Sequence, residues 1–310
     1  MRAAFSKAIV DAAKADPKIL LLTGDHGYAL FDDFRKALPD QFINAGIAEQ
    51  NMVGVAAGLA KAGFKPIVYG LAAFVPVRVL EQIKIDICYE NLPVILIGDG
   101  AGLVYSHLGT SHQSTEDIAC TRAIPGLTIL SPGDRFEMAA AMRLALSLHS
   151  PVYLRMGKSD RGDIHSAELI LSAGEMLKVG GGSANTAILA TGSMVRTALD
   201  LVEQGLDAEV WSVPSIKPFN CKQLNDIAKN VDLIVTIEEH SIIGGLGACV
   251  AETISISSTL PVCRIGIEDR FSNACGTWDY LLKEHKLDAA SISYKIHEFI
   301  TRIKIGSSVK

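Results

Sequence analysis

No Cys-x-x-Cys pair occurs in the chain, and its six cysteines, at 88, 120, 221, 249, 263 and 275, are scattered. That excludes a zinc knuckle or a disulfide framework as the organising device. Long apolar runs are missing too: none approaches the roughly 18–20 residues that a membrane-spanning helix needs. An excess of one charge is also lacking, since 29 basic residues stand against 34 acidic ones for a formal charge of −5. The basic footprint of a nucleic-acid partner is therefore absent. Met1-Arg2-Ala3 leads straight into an amphipathic pattern rather than a leader, so the expectation is a soluble cytoplasmic protein with no membrane partner. No fixed-period repeat relates the two halves.

What is present is a well-buried globular composition. Hydrophobic residues make up 49% of the 310 positions and charged residues 20%. A chain of this length outgrows a single core, so two domains are expected. The fold class is α/β, each domain a mainly parallel sheet flanked by helices. In the first half, apolar strands are expected at 19–22, 41–45, 66–69, 93–98, 127–131 and 151–155, with helices at 2–15, 31–38, 76–89 and 134–148. Turn residues and charge across 157–184 break the rhythm. The expected division is a first domain over 1–160, a linker over 161–183 and a second domain over 184–310. In that second unit, strands are expected near 186–190, 208–213, 231–238 and 261–267, with helices near 193–205, 219–229 and 244–256.

The first domain is organised around residues 44–63, where Glu49 heads a Gly- and Ala-rich helix stopped by Gly63. An acid in a first helical turn has an ordinary explanation in the helix dipole. Gly46, Gly54 and Gly58 could admit a neighbouring backbone or a ligand ring. Ligands of open parallel sheets bind beyond the carboxyl ends of the strands. The loops there offer Asp25 with His26, then Glu49, Phe74, His107 and His112, and finally Arg155 with Lys158. Each residue alone has a dull reading, Phe74 as core and Arg155 as a weak surface ion pair. Their shared position after strands is what makes them a candidate site.

Gly46-Ile-Ala-Glu-Gln50 followed by Ala56-Ala-Gly-Leu-Ala60 resembles the pyrimidine-binding domain of transketolases and 1-deoxyxylulose-5-phosphate synthases. Glu81-Gln-Ile83, Gly109-Thr-Ser-His-Gln113, Glu116-Asp-Ile118, Arg122-Ala-Ile-Pro125 and Ser131-Pro-Gly-Asp134 follow in the family's order. Glu238-Glu-His-Ser-Ile-Ile-Gly-Gly-Leu-Gly247 is similar to the signature of the family's C-terminal domain. The likeness runs from about residue 3 to 300.

This resemblance implies thiamine diphosphate as cofactor. It makes Glu49 the carboxyl that holds the aminopyrimidine in the tautomer able to activate the thiazolium. Phe74 would stack on the pyrimidine, and Asp25 and Ile47 would line the cofactor. His112, joined by His107, would contact the sugar substrate, and Arg155 would grip its phosphate. The family's acidic residue four places before the loop histidine is replaced here by Leu108. The Gly98-Asp-Gly100 turn lacks the asparagine pair that completes a diphosphate and metal motif, since no asparagine lies between Asn91 and Asn185. No metal site is therefore expected on this chain. The resemblance thus implies half of a cofactor site, completed by an alpha-type subunit carrying diphosphate and Mg2+ or Ca2+ in an α2β2 heterotetramer. The expected activity is transfer of a two-carbon ketol unit between phosphorylated sugars. Two alternatives stand beside it: a beta subunit of a 2-oxo-acid-decarboxylating enzyme, and a scaffold that lost catalysis. The Gly244-Gly-Leu-Gly247 turn is expected to be structural.

Overall fold

A computed structural model describes residues 1–158 and 160–308, with side chains described as far as Ile305. Ser159, inside the expected boundary stretch, lies outside the described residues. In chain order the strands are β1 (Ile19–Thr23), β2 (Phe42–Asn44), β3 (Lys65–Leu71), β4 (Ile95–Asp99), β5 (Thr128–Leu130), β6 (Val152–Met156), β7 (Leu177–Gly180), β8 (Thr186–Ala190), β9 (Glu209–Ser212), β10 (Ser215–Lys217), β11 (Leu233–Ser241) and β12 (Val262–Ile267). They form a seven-stranded sheet, β10-β5-β6-β4-β3-β1-β2, and a five-stranded sheet, β12-β11-β8-β9-β7. All pairings are parallel except those of β10 with β5 and of β7 with β9.

The physical reason for the first sheet is visible in its strands. β1, β4 and β6 are buried along their whole length, as near-continuous apolar strands covered on both faces must be. The helix Glu49–Lys61 packs Met52, Val53, Ala56, Ala57 and Ala60 inward at helical spacing. Gly63, at φ +87°, turns the chain into β3. A Cβ built on Gly46, Gly54 or Gly58 would meet nothing within 4 Å. Alanine, not glycine, therefore makes this helix's close approach to the sheet, and the glycine face is open.

Several elements differ from the sequence-based expectations. β7 lies inside the stretch expected to be a linker and forms an edge of the second sheet. β10 crosses from the second half to extend the first sheet, antiparallel to β5. The single helix expected over 76–89 is three pieces: a 3-10 turn Val77–Val79, an α-turn Leu80–Gln82 and a π-helix Ile83–Cys88. The wider π-turn brings Ile83, Ile87 and Cys88 onto the core. No described helix is long and apolar enough to cross a membrane.

The two halves are fastened by buried polar groups at the end of β11. Glu239 accepts from Leu103 N–H at 2.6 Å and from Trp278 Nε1 at 2.9 Å, and also from the Ser193 hydroxyl. Glu238 accepts from the Leu246 and Gly247 amides at 2.7 and 2.8 Å, capping the helix Leu246–Ser257. A Cβ on Gly245 would lie 2.0 Å from that carboxylate. The glycine-rich turn is therefore filled from within the chain. His240 Nε2 accepts from Ala119 N–H at 3.2 Å, and Ser241 N–H donates to Thr115 O at 2.7 Å.

Candidate cofactor seat at the carboxyl ends of the first sheet

Strands β4, β3, β1 and β2 are neighbours in that order, so the loops after them converge. β2 delivers Glu49 to the first turn of its helix, where it is only 4% exposed. Its Oε2 accepts from Arg78 Nη1 at 3.0 Å, while Oε1 is buried without a hydrogen-bond partner among the described residues. β3 delivers Phe74 through a tight turn in which the Phe74 and Val75 amides donate to Leu71 O at 2.8 and 2.7 Å. Gly70 permits that turn, since a Cβ there would lie 2.7 Å from Val75 Cγ2. The loop after β4 brings His112 edge-on to Phe74, with ring centroids 5.3 Å apart at 65°. The Ser111 hydroxyl lies 3.0 Å from His112 Nδ1 and orients the ring.

Sequence reasoning placed His26 of this cluster among the strand-end loop residues without giving it a role, and did not single out Arg78. His26, after β1, lies 6.4 Å from the Phe74 ring, and its Nε2 is buried without a partner among the described residues. Burial pushes its pKa down, against the upward pull of Glu49 and Asp25, so the ring is neutral near pH 7. Arg78 places its guanidinium 4.0 Å over the Phe74 ring while reaching Glu49. No sequence signal pointed to Arg78.

The remaining expected residues fall elsewhere. Asp25 is exposed and accepts from the Tyr28 hydroxyl at 2.7 Å. Ile47 is 78% exposed, so it lines nothing within this chain. His107 is also exposed. Arg155 departs most from expectation. It is 2% exposed, and its Nε donates to Asp117 Oδ2 at 2.8 Å while Nη2 donates to Glu239 O at 2.8 Å. The Tyr153 hydroxyl donates to the same Asp117 oxygen at 2.6 Å. With Nε and Nη2 committed to a buried carboxylate and a carbonyl, Arg155 ties the two halves together inside the protein.

The cluster fits an aminopyrimidine. A flat ring that stacks on Phe74 meets a buried carboxylate with one free oxygen, and an N–H edge could satisfy it. No group of three or more His, Cys, Asp or Glu suited to a metal occurs among the described residues. Asp99 of the Gly98-Asp-Gly100 turn accepts from Tyr69 and Tyr105 at 2.6 and 3.0 Å. A Cβ on Gly100 would lie 1.9 Å from Tyr105. Tyr105 packs directly against the backbone of that turn.

Comparison with known proteins gives a consistent answer. Residues 1–162 match the family described as transketolase, pyrimidine binding domain, and residues 174–292 match transketolase, C-terminal domain. The chain is 35% identical to a subunit of the apulose-4-phosphate transketolase of Phocaeicola vulgatus, over 97% of both chains. It is 34% identical to the 6-deoxy-6-sulfo-D-fructose transketolase subunit of a Clostridium species, covering 97% of this chain and 95% of that one. A 1-deoxy-D-xylulose-5-phosphate synthase from Chlorobium phaeovibrioides is 36% identical, but the chain spans only 48% of its length. Among solved structures, a split gene transketolase described as an inactive beta4 tetramer superimposes with a TM-score of 0.86 at 34% identity, over 97% of both chains. On these grounds the chain belongs to the transketolase family, with the pyrimidine-binding and C-terminal domains on one polypeptide and with the relatives' thiamine diphosphate dependence implied for it.

Proposed function

We propose that this chain is the beta-type subunit of a split, thiamine-diphosphate-dependent transketolase that moves a two-carbon ketol unit between phosphorylated sugars. The observation that carries the reading is the buried Glu49 carboxylate, joined to the Phe74 ring through Arg78 and with one oxygen unpartnered among the described residues. When bound, thiamine diphosphate supplies the electron sink that makes cleavage next to a carbonyl feasible. Glu49 would accept the ring N–H of the aminopyrimidine and hold the tautomer that lets its exocyclic nitrogen take a proton. Phe74 would fix the ring's plane. His112, half-buried and held by Ser111, would hydrogen-bond a sugar hydroxyl. His107 on the exposed rim is a second candidate sugar contact. Arg155 has no place in this proposal.

The diphosphate and its Mg2+ or Ca2+ would be held by an alpha-type partner, in an α2β2 assembly working in the cytoplasm. The two full-length relatives named as transketolase subunits support partner dependence, as does the beta4 tetramer described as inactive. The test is reconstitution with the alpha-type chain. Transfer from a ketose phosphate donor is expected, together with no turnover by the isolated chain supplied with cofactor and magnesium. Carbon dioxide release from pyruvate would favour the decarboxylating alternative, and robust activity of the isolated chain would refute the split site.

A further inference from the structure

We propose that Arg78 is a built-in occupant of the aminopyrimidine seat, which the cofactor ring must displace on loading. The inference rests on the reading of Glu49 and Phe74 given above. A guanidinium is flat, delocalised and edged with N–H donors. It therefore shares two features with an aminopyrimidine: a face to stack and an edge to offer a carboxylate. Arg78 uses both, with its guanidinium carbon 4.0 Å from the Phe74 centroid and Nη1 3.0 Å from Glu49 Oε2. A ring that takes the Phe74 face under Arg78 and reaches Glu49 at once must enter the space that Arg78 spans.

The strength of this latch suits displacement. Leaving Glu49 buried and unpaired in the empty chain would be costly, and Arg78 removes that cost. The Arg78 side chain is 45% exposed, and Glu49 is the sole hydrogen-bond partner of its guanidinium among the described residues. Half-exposed ion pairs and cation–π contacts of this kind are weak enough to exchange. The side chain can swing into solvent without unfolding anything.

The experiment is a titration of the full chain with the free aminopyrimidine of thiamine, followed by ligand-observed NMR or calorimetry. Arg78→Met should bind the ring about three- to thirtyfold more tightly than the unmodified chain, the range a lost cation–π contact and a lost half-exposed pair span together. Arg78→Lys, which keeps charge but not the plane, should fall between. The empty Arg78→Met chain should also unfold at lower denaturant, because Glu49 loses its cation. Raising salt from about 0.05 to 0.5 M should tighten binding of this neutral probe to the unmodified chain and leave Arg78→Met unmoved. Equal or weaker binding by a folded Arg78→Met, with binding in both chains abolished by Glu49→Gln, would overturn the occupant role and leave the seat intact. Absence of Glu49-dependent binding in either chain would remove the seat, and the occupant with it.

Discussion

Glu49 and Glu239 are both buried carboxylates at the strand ends of one molecule, at 4% and 1% exposure, yet they are treated in opposite ways. Glu239 is saturated by a backbone amide, an indole N–H and a hydroxyl from three separate segments. Glu49 has one half-exposed cation and, among the described residues, an oxygen with nothing to accept. Burying a carboxylate is tolerated only when its lone pairs are used. The contrast teaches how to separate a structural acid from a ligand-binding one: burial and charge are shared, and saturation divides them. The same division holds for the arginines, since Arg155 is spent inside the protein while Arg78 lies loosely over a ring.

The largest effect that would sharpen this comparison is on turnover. Glu49→Gln in the reconstituted enzyme should lower kcat by about 10²–10⁴-fold, as loss of a proton-transfer group does, with the unfolding midpoint unchanged. Activity within about tenfold of the parent would break the assignment. Next in size is stability at the saturated acid. Glu239→Ala strands three buried donors and should cost about 3–6 kcal/mol in urea unfolding, against under about 1 kcal/mol for Glu49→Ala. Equal costs would erase the distinction drawn above.

Arg155→Met leaves Asp117 buried and uncompensated, for an expected loss of about 3–5 kcal/mol, while the double variant with Asp117→Leu should recover much of it. A raised KM for the sugar phosphate at unchanged stability would instead restore Arg155 as a phosphate ligand. The smallest effect is in pH dependence. Burial pushes the Glu238 carboxyl up from 4.5 to about 7 and the His240 imidazole down from 6.5 to about 4. In the fold, Glu238 keeps a proton that the unfolded chain has lost, so its favourable contribution fades as pH rises from 4.5 to about 7. His240 refuses a proton that the unfolded chain takes, so its contribution fades as pH falls from 6.5 to about 4. The two slopes oppose each other over the shared window. His240→Gln should therefore make stability fall more steeply with rising pH than in the parent, by at most about 1.4 kcal/mol per unit. Parallel profiles from denaturant titrations would count against the opposition.

Sequence by itself determined much of this protein. Apolar runs such as Ile19–Leu22 and 93–98 could only be buried strands, and their alternation with helices set the α/β class. The ordered motifs around Glu49, Phe74 and His112 placed three residues that converge in space, because ligand loops follow the carboxyl ends of parallel strands. What only tertiary structure decided was where long or charged side chains end and which sheet a short strand joins. β10 is three residues long and takes its place from β5, more than eighty positions earlier. β7 hides in a glycine-rich stretch and exists because β9 offers an edge. Arg155 sits at a strand end like a ligand-binding residue, but Asp117 and Glu239 meet it there from distant segments. Arg78 joins Glu49 across 29 positions. Local pattern fixes backbone state, whereas the pairing of buried charges is settled only when remote segments pack together and must satisfy one another.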